Sequence, residues 1–165
     1  MPDVVLMMGS DSDWPTLEPV VTTLRELGVS CTARVLSAHR TPDQTREFVA
    51  ESEKSGTRVF ICAAGVAAHL AGAVAAHTAR PVIGIPVASG PLNGFDALLS
   101  TVQMPPGVPV ATVAINGAVN AAVLAAQILA TGDAELSKKL VKWRAAQTSK
   151  VLEKDQRLQE KLKHP

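Results

Sequence analysis

The chain has 165 residues, enough for one domain with its own core. Its formal net charge of +1 gives no field that would draw it to nucleic acid or an anionic membrane, and 47% hydrophobic with 19% charged residues excludes a disordered chain. Aromatics make up only 3%, so Ala, Val, Leu and Ile must fill the core, and such small side chains let helices, sheet and neighbouring subunits approach closely.

Val4–Met8 reads as the first strand, apolar on both faces. No charged segment and long apolar run precede it, so no secretory signal is expected. Trp14–Leu27 reads as the first helix, ending at Gly28 and carrying Pro19 inside, where a kink is expected. Cys31–Leu36 is the second strand. Thr41-Pro42-Asp43-Gln44 predicts a capping box at the start of a second helix, which runs to about Lys54 and stops at Gly56. Arg58–Ala63 is the third strand and Val66–His77 an Ala-rich third helix. Pro81–Ile85 is the fourth strand, Phe95–Val102 a short helix, Val108–Ala114 the fifth strand and Gly117–Ala130 a further Ala-rich helix.

Five apolar strands separated by helices imply a parallel sheet covered on both faces. Right-handed crossovers then give an α/β, three-layer αβα sandwich with a doubly wound, flavodoxin-like parallel sheet. Residues 1–132 are expected to form the catalytic domain. Residues 133–165 are rich in Lys, Glu and Gln around Leu136, Leu140, Val141, Trp143, Val151, Leu152, Leu158 and Leu162. They predict a long amphipathic C-terminal helix packing on the same domain or on a neighbouring subunit. No apolar run is long and uninterrupted enough to span a membrane, and a cytoplasmic location is expected. Cys31 and Cys62 sit in apolar runs and read as buried free thiols; neither a Cys-x-x-Cys nor a metal-ligand spacing of Cys and His is present.

Ligands of such sheets bind beyond the carboxyl ends of the strands, so each strand-to-helix turn is a candidate site. The first, Gly9-Ser10-Asp11-Ser12-Asp13, places hydroxyls and backbone N–H groups at a helix start, a ready anion site. A single helix cap is the bland alternative, but one cap needs one such residue. No Gly-Lys-Ser/Thr ending and no triple-glycine spacing is present, which excludes a Walker loop and a dinucleotide fingerprint. A phospho-acceptor Asp would need acidic and basic partners at later strand ends, where Ala63-Ala64-Gly65 and Ile115-Asn116 stand instead.

The second turn is Ser37-Ala38-His39-Arg40-Thr41-Pro42. His can act as acid and base near neutral pH, and Arg can clamp a phosphate. A His-Arg pair is often surface decoration, but its place at the carboxyl edge beside the first turn favours a site. In the third turn, Ala63–Gly72, small residues allow close approach to a planar ligand, and His69 is either a ligand contact or a packing residue. Pro86-Val87-Ala88-Ser89-Gly90-Pro91-Leu92-Asn93-Gly94, rich in Gly, Pro and Ser after the fourth strand, reads as a loop that covers a site and excludes water. His77 and His164 are assigned to surface or interface.

These strings, in this order, resemble the N5-carboxyaminoimidazole ribonucleotide mutase family of purine biosynthesis. The matching segments are Met8–Asp13, Ser37–Pro42, Ala63–Gly72, Pro81–Val87, Leu99–Pro109 and Asn120–Ala130, collinear from about Val4 to Ala130. Ala71 stands where the mutase branch usually has Pro. A sister branch that carboxylates aminoimidazole ribonucleotide with free CO2 typically has Lys at the position of Arg40. The resemblance implies a small-molecule ribonucleotide substrate, no metal or organic cofactor, and a homo-octamer with sites near subunit junctions. It implies His39 as the catalytic acid/base and Arg40 as the phosphate clamp. Ser10, Ser12 and Asp13 would hold ribose, phosphate and carboxylate, with Ser37 beside them. Ala64, Gly65, His69 and Leu70 would wall the imidazole. The alternatives are the CO2-dependent carboxylase of the same fold and a nucleotide-binding module without catalysis.

Overall fold

The computed structural model describes residues 2–163. Five parallel strands form one sheet in the order β2-β1-β3-β4-β5: β1 (Val4–Met8), β2 (Cys31–Val35), β3 (Val59–Gly65), β4 (Val82–Val87) and β5 (Ala111–Thr112). The order reverses after β1, the flavodoxin-like doubly wound arrangement. Val4 pairs with Cys31 on one side and Val59 on the other, and Met8 with Val35 and Ala63. The carboxyl ends of these strands therefore lie level.

Helices cover both faces: α1 (Trp14–Glu26), α2 (Pro42–Lys54), α3 (Leu70–Ala75), α4 (Phe95–Val102), α5 (Ala118–Ala130) and α6 (Ala134–Lys163). Alternation along the strands sends Val4, Leu6 and Met8 into one core layer and Val5 and Met7 into the other. The first layer meets Leu17, Val20 and Leu24 of α1, five alanines of α5, and Leu136 and Leu140 of α6. The second meets Val49 of α2 and Leu70, Ala71 and Val74 of α3. Every residue of β1 and β4 is buried, as a sheet covered on both faces requires. The buried alanines of α5 bring that helix close to the sheet, which explains how a core almost without aromatics packs densely.

Several boundaries differ from expectation. α3 begins at Leu70 rather than Val66, because Val66 takes a left-handed φ of 54° and the chain cannot be helical there. β3 extends to Gly65 and β4 through Pro86 to Val87. Pro86 sits next to last, where the loss of one N–H is tolerated. β5 shrinks to Ala111–Thr112, following Pro105, Pro106 and Pro109, none of which can donate to a ladder. α1 runs through Pro19 without interruption. Its end at Glu26 is followed by Gly28 at φ 76°, the left-handed position that stops a helix.

Both thiols are free and neither lies at the carboxyl edge. Burial pushes the Cys31 thiol up to about 11, against a smaller opposing pull from the Leu6 backbone, and burial also pushes the Cys62 thiol up. Neither is a ready thiolate at neutral pH. No helix among the described residues is long and apolar enough to cross a membrane.

Candidate active site

Level strand ends bring the turns after β2, β1, β3 and β4 side by side around one cavity of about 330 Å3. All ten residues singled out in the sequence line it: Ser10, Ser12 and Asp13 from the first turn, Ser37, His39 and Arg40 from the second, and Ala64, Gly65, His69 and Leu70 from the third. Gly9, Ala38, Val66, Ala67 and Ser89 join them.

The first turn leaves the sheet with Gly9 N–H still donating to the Ala63 carbonyl at 3.2 Å. Ser10 then caps a single 3-10 turn, Asp11–Asp13, accepting from Ser12 N–H at 3.3 Å while its Oγ lies 2.8 Å from Ser12 Oγ. The two hydroxyls are thus paired on the cavity rim. The Asp13 carboxyl is held above its ordinary value of 3.8, first by burial and second by the like charge of Asp11.

The second turn is closed by a hydroxyl expected to do something else. Thr41 does stand at the N-cap of α2, but its side chain makes no capping bond. Its Oγ1 instead accepts from Ser37 N–H at 2.8 Å and donates to the Ser37 carbonyl at 3.0 Å. The expected capping box is therefore absent: an oxygen bonded across the loop is not directed at the helix amides. The result is a tight Ser37–Thr41 turn, reinforced by Arg40 N–H donating to Ser37 Oγ at 3.2 Å. The Arg40 guanidinium reaches across to the first turn, where Nη2 donates to the Gly9 carbonyl at 2.8 Å. One of its five N–H donors is so engaged, and the others remain for an anion. Arg40, with Gly9, Ser10 and Ser37, also lines a second space of about 330 Å3.

In the third turn Ala68 N–H donates to the Val66 carbonyl at 3.0 Å and His69 N–H to the Ala67 carbonyl at 2.8 Å. These short bonds place His69 at the N-cap of α3 rather than within its first turn. Its Nδ1 lies 2.8 Å from Nε2 of His39, and the two rings meet edge to face with centroids 4.9 Å apart. The bond joins the second turn to the third and aims the His39 ring over the middle of the sheet edge. Leu70 beneath is buried and forms apolar floor.

Ser89 follows β4 and closes the far side. From the sequence its loop is expected only as a cover, and its position one turn along the same sheet edge is the signal that marks a contact residue there. His77 is exposed and away from the cavity, and His164 lies outside the described residues. Among the described residues no cluster of three or more His, Cys, Asp or Glu is placed to hold a metal ion.

The family model described as AIR carboxylase matches residues 3–150. N5-carboxyaminoimidazole ribonucleotide mutase of Brucella melitensis is 52% identical over 154 residues, covering 92% of this chain and 95% of that protein. The mutase of Thermotoga maritima is 49% identical over 160 residues, 97% of this chain and 94% of its own, and that of Escherichia coli K12 is 52% identical over 152 residues, 91% and 90%. The crystal structure of Treponema denticola PurE matches with a TM-score of 0.86 at 29% identity, covering 94% of this chain and 97% of that one.

Proposed function

The chain belongs to the AIR carboxylase family, and from that premise we propose that it is an isomerase of purine biosynthesis, converting N5-carboxyaminoimidazole ribonucleotide into 4-carboxy-5-aminoimidazole ribonucleotide. Relatives about half identical along nearly the whole chain carry the mutase name, which favours the isomerase over direct carboxylation. The observation that carries the reading is a single cavity in which the acid/base candidate His39 and the anion-binding groups Arg40, Ser10 and Ser12 come together from separate turns.

In this reading Arg40 holds the phosphate, with Ser37 supporting the turn that presents it. Ser10, Ser12 and Asp13 hold ribose and carboxylate oxygens. Ala64, Gly65, His69 and Leu70 wall the imidazole. The N–C bond of the carbamate breaks, His39 donates a proton to the departing nitrogen, and aminoimidazole ribonucleotide and CO2 remain together. The ring carbon attacks CO2, and His39 takes the ring proton as aromaticity returns. One proton leaves His39 and one comes back, so the residue serves as acid and then base. Confinement matters because escaped CO2 would make the second half bimolecular. No metal or organic cofactor enters this scheme. The protein is further proposed to act in the cytoplasm as a homo-octamer.

The experiment is turnover of the N-carboxylated ribonucleotide without added CO2 or ATP, in bicarbonate-free buffer. Formation of the C-carboxylated product supports the isomerase. A second reading, carboxylation of aminoimidazole ribonucleotide by CO2, is favoured by the family description itself. Product formed only from that nucleotide plus CO2 would establish it instead.

A further inference from the structure

Ser89 alone brings the β4 side of the sheet to the cavity. Its placement is specific. A Cβ added to Gly65 would land on Ser89 Oγ and would lie 3.0 Å from Ser89 Cβ and 3.2 Å from the Val87 carbonyl oxygen. The absence of a side chain at residue 65 is what lets the Ser89 hydroxyl lean over the end of β3.

The loop that carries it is fastened from below. Asn116 sits at a left-handed φ of 58°, a conformation Asn adopts more readily than most residues. Its Oδ1 accepts from Ala88 N–H at 2.9 Å, one residue before Ser89, and its own N–H donates to the Pro86 carbonyl at 2.9 Å. A Cβ on Gly94 would meet Ala88 Cα at 3.0 Å, so the loop also closes back on its own start.

Sheet order then sets what Ser89 faces. Arg40 rises after β2 and Ser89 after β4, with β1 and β3 between them. Three strand spacings of about 4.8 Å separate those ends by about 14 Å. Phosphate and base lie at opposite ends of a ribonucleotide, so a phosphate at Arg40 sends the base toward Ser89. His39 points to the same end, because its Nε2 meets His69 on the β3 turn.

We propose that Ser89 contacts the substrate, its hydroxyl donating to the carboxylate group as that group passes between nitrogen and carbon, and that Asn116 is the positioning residue that holds it there. The proposal rests on the isomerase reading and adds a retaining contact for CO2 across the ring from His39. A hydroxyl is suited to this work, since it donates to the anion and does not bind neutral CO2 so tightly as to stall it.

The test uses the full-length protein with Ser89→Ala, Asn116→Ala and Asn116→Asp. Product partitioning is followed: the fraction of N-carboxylated nucleotide ending as aminoimidazole ribonucleotide plus CO2 rather than as C-carboxylated product. Ser89→Ala should lower kcat about 10- to 100-fold, leave KM for the nucleotide nearly unchanged and raise the leaked fraction. Asn116→Ala should move both quantities the same way by less, and Asn116→Asp, which keeps the acceptor, should restore them. A Ser89→Ala enzyme with wild-type kcat and no added leak overturns the role of Ser89, as does an effect confined to KM. An unchanged Asn116→Ala enzyme overturns the positioning role. Failure of the wild-type protein to isomerise would count against the isomerase reading itself, so the two failures are distinguishable.

Discussion

His39 and Arg40 are neighbours in sequence with opposite expected kinetic signatures. His39→Asn keeps a polar side chain but cannot carry a proton to and from the substrate. It should bind nucleotide normally and lose isomerisation by about 100- to 10,000-fold. Arg40→Ala removes a clamp used equally in ground and transition states, and should chiefly raise KM. Steady-state kinetics on both separates them, and near-wild-type turnover by His39→Asn would remove it from the mechanism. Asp13 supports a prediction about stability. Burial and Asp11 raise its carboxyl above 3.8, so the folded chain keeps the proton more tightly than the unfolded chain does. The folded state is therefore favoured most below 3.8 and loses that advantage as pH rises through the folded value. Asn at residue 13 never ionises. Asp13→Asn should melt higher than the parent protein at neutral pH, with the gap closing as pH falls through the folded value toward 3.8. Should attraction to the amides at the start of α1 outweigh burial, melting curves across pH would show the gap moving the other way.

At the scale of elements, the β3–α3 turn is the place where local preference yields to the site. Val66 is β-branched, half exposed and left-handed, a conformation that costs about 1–2 kcal/mol for an L-residue with a Cβ. Val66→Gly removes that strain but adds backbone freedom to the unfolded chain, which takes back about 0.5–1 kcal/mol. Urea denaturation should show a net gain of about 1 kcal/mol or slightly less, and a clear loss would mean that the Val66 side chain stabilises the turn. The same residue explains what the sequence concealed. The run of small and apolar residues from Val66 to His77 has helical composition, and nothing in it announces a left-handed residue at its start. Thr41-Pro42-Asp43-Gln44 likewise has the pattern of a capping box, but the Thr41 hydroxyl bonds back to Ser37 and shapes the loop that presents Arg40. Both misreadings fall where the chain bends to build the cavity. β1 and β4 were easier, since residues buried on both faces show as unbroken apolar runs. The seven polar candidates, Ser10, Ser12, Asp13, Ser37, His39, Arg40 and His69, were legible because polar groups near strand ends stand out against such runs, whereas Ala64, Gly65 and Leu70 rested on the small-residue turn and the family resemblance. Ser89 was not legible as a contact, because its approach to Gly65 joins the ends of the adjacent strands β3 and β4, which are far apart in sequence.

The whole molecule ends in a helix too long for the body it leaves. α6 spans Ala134–Lys163, 30 residues or about 45 Å. Leu136 and Leu140 are buried in the core layer that α5 shares, and Trp143 packs against it. From Arg144 to Lys163 every residue is exposed. A helix of that length without tertiary contacts is marginal in water, and this one repeats Val151, Leu158 and Leu162 at spacings of seven and four with Leu152 alongside. α4 shows a second uncovered stripe, Phe95, Leu99 and Val102, at spacings of four and three. Two apolar stripes on one chain suit the proposed octamer, in which copies of the chain would cover both. Deleting residues 145–165 keeps Leu136, Leu140 and Trp143, so the core is intact and thermal unfolding should stay cooperative. The mass of the assembly, measured by light scattering after size exclusion, should fall by more than the deleted residues account for. Because cavity and His39 belong to the retained part, turnover should persist in the smaller species, although more weakly if subunit junctions support the turns. An assembly of unchanged subunit number would show that the arm lies free of its neighbours and that other faces, the α4 stripe first among them, hold the subunits together.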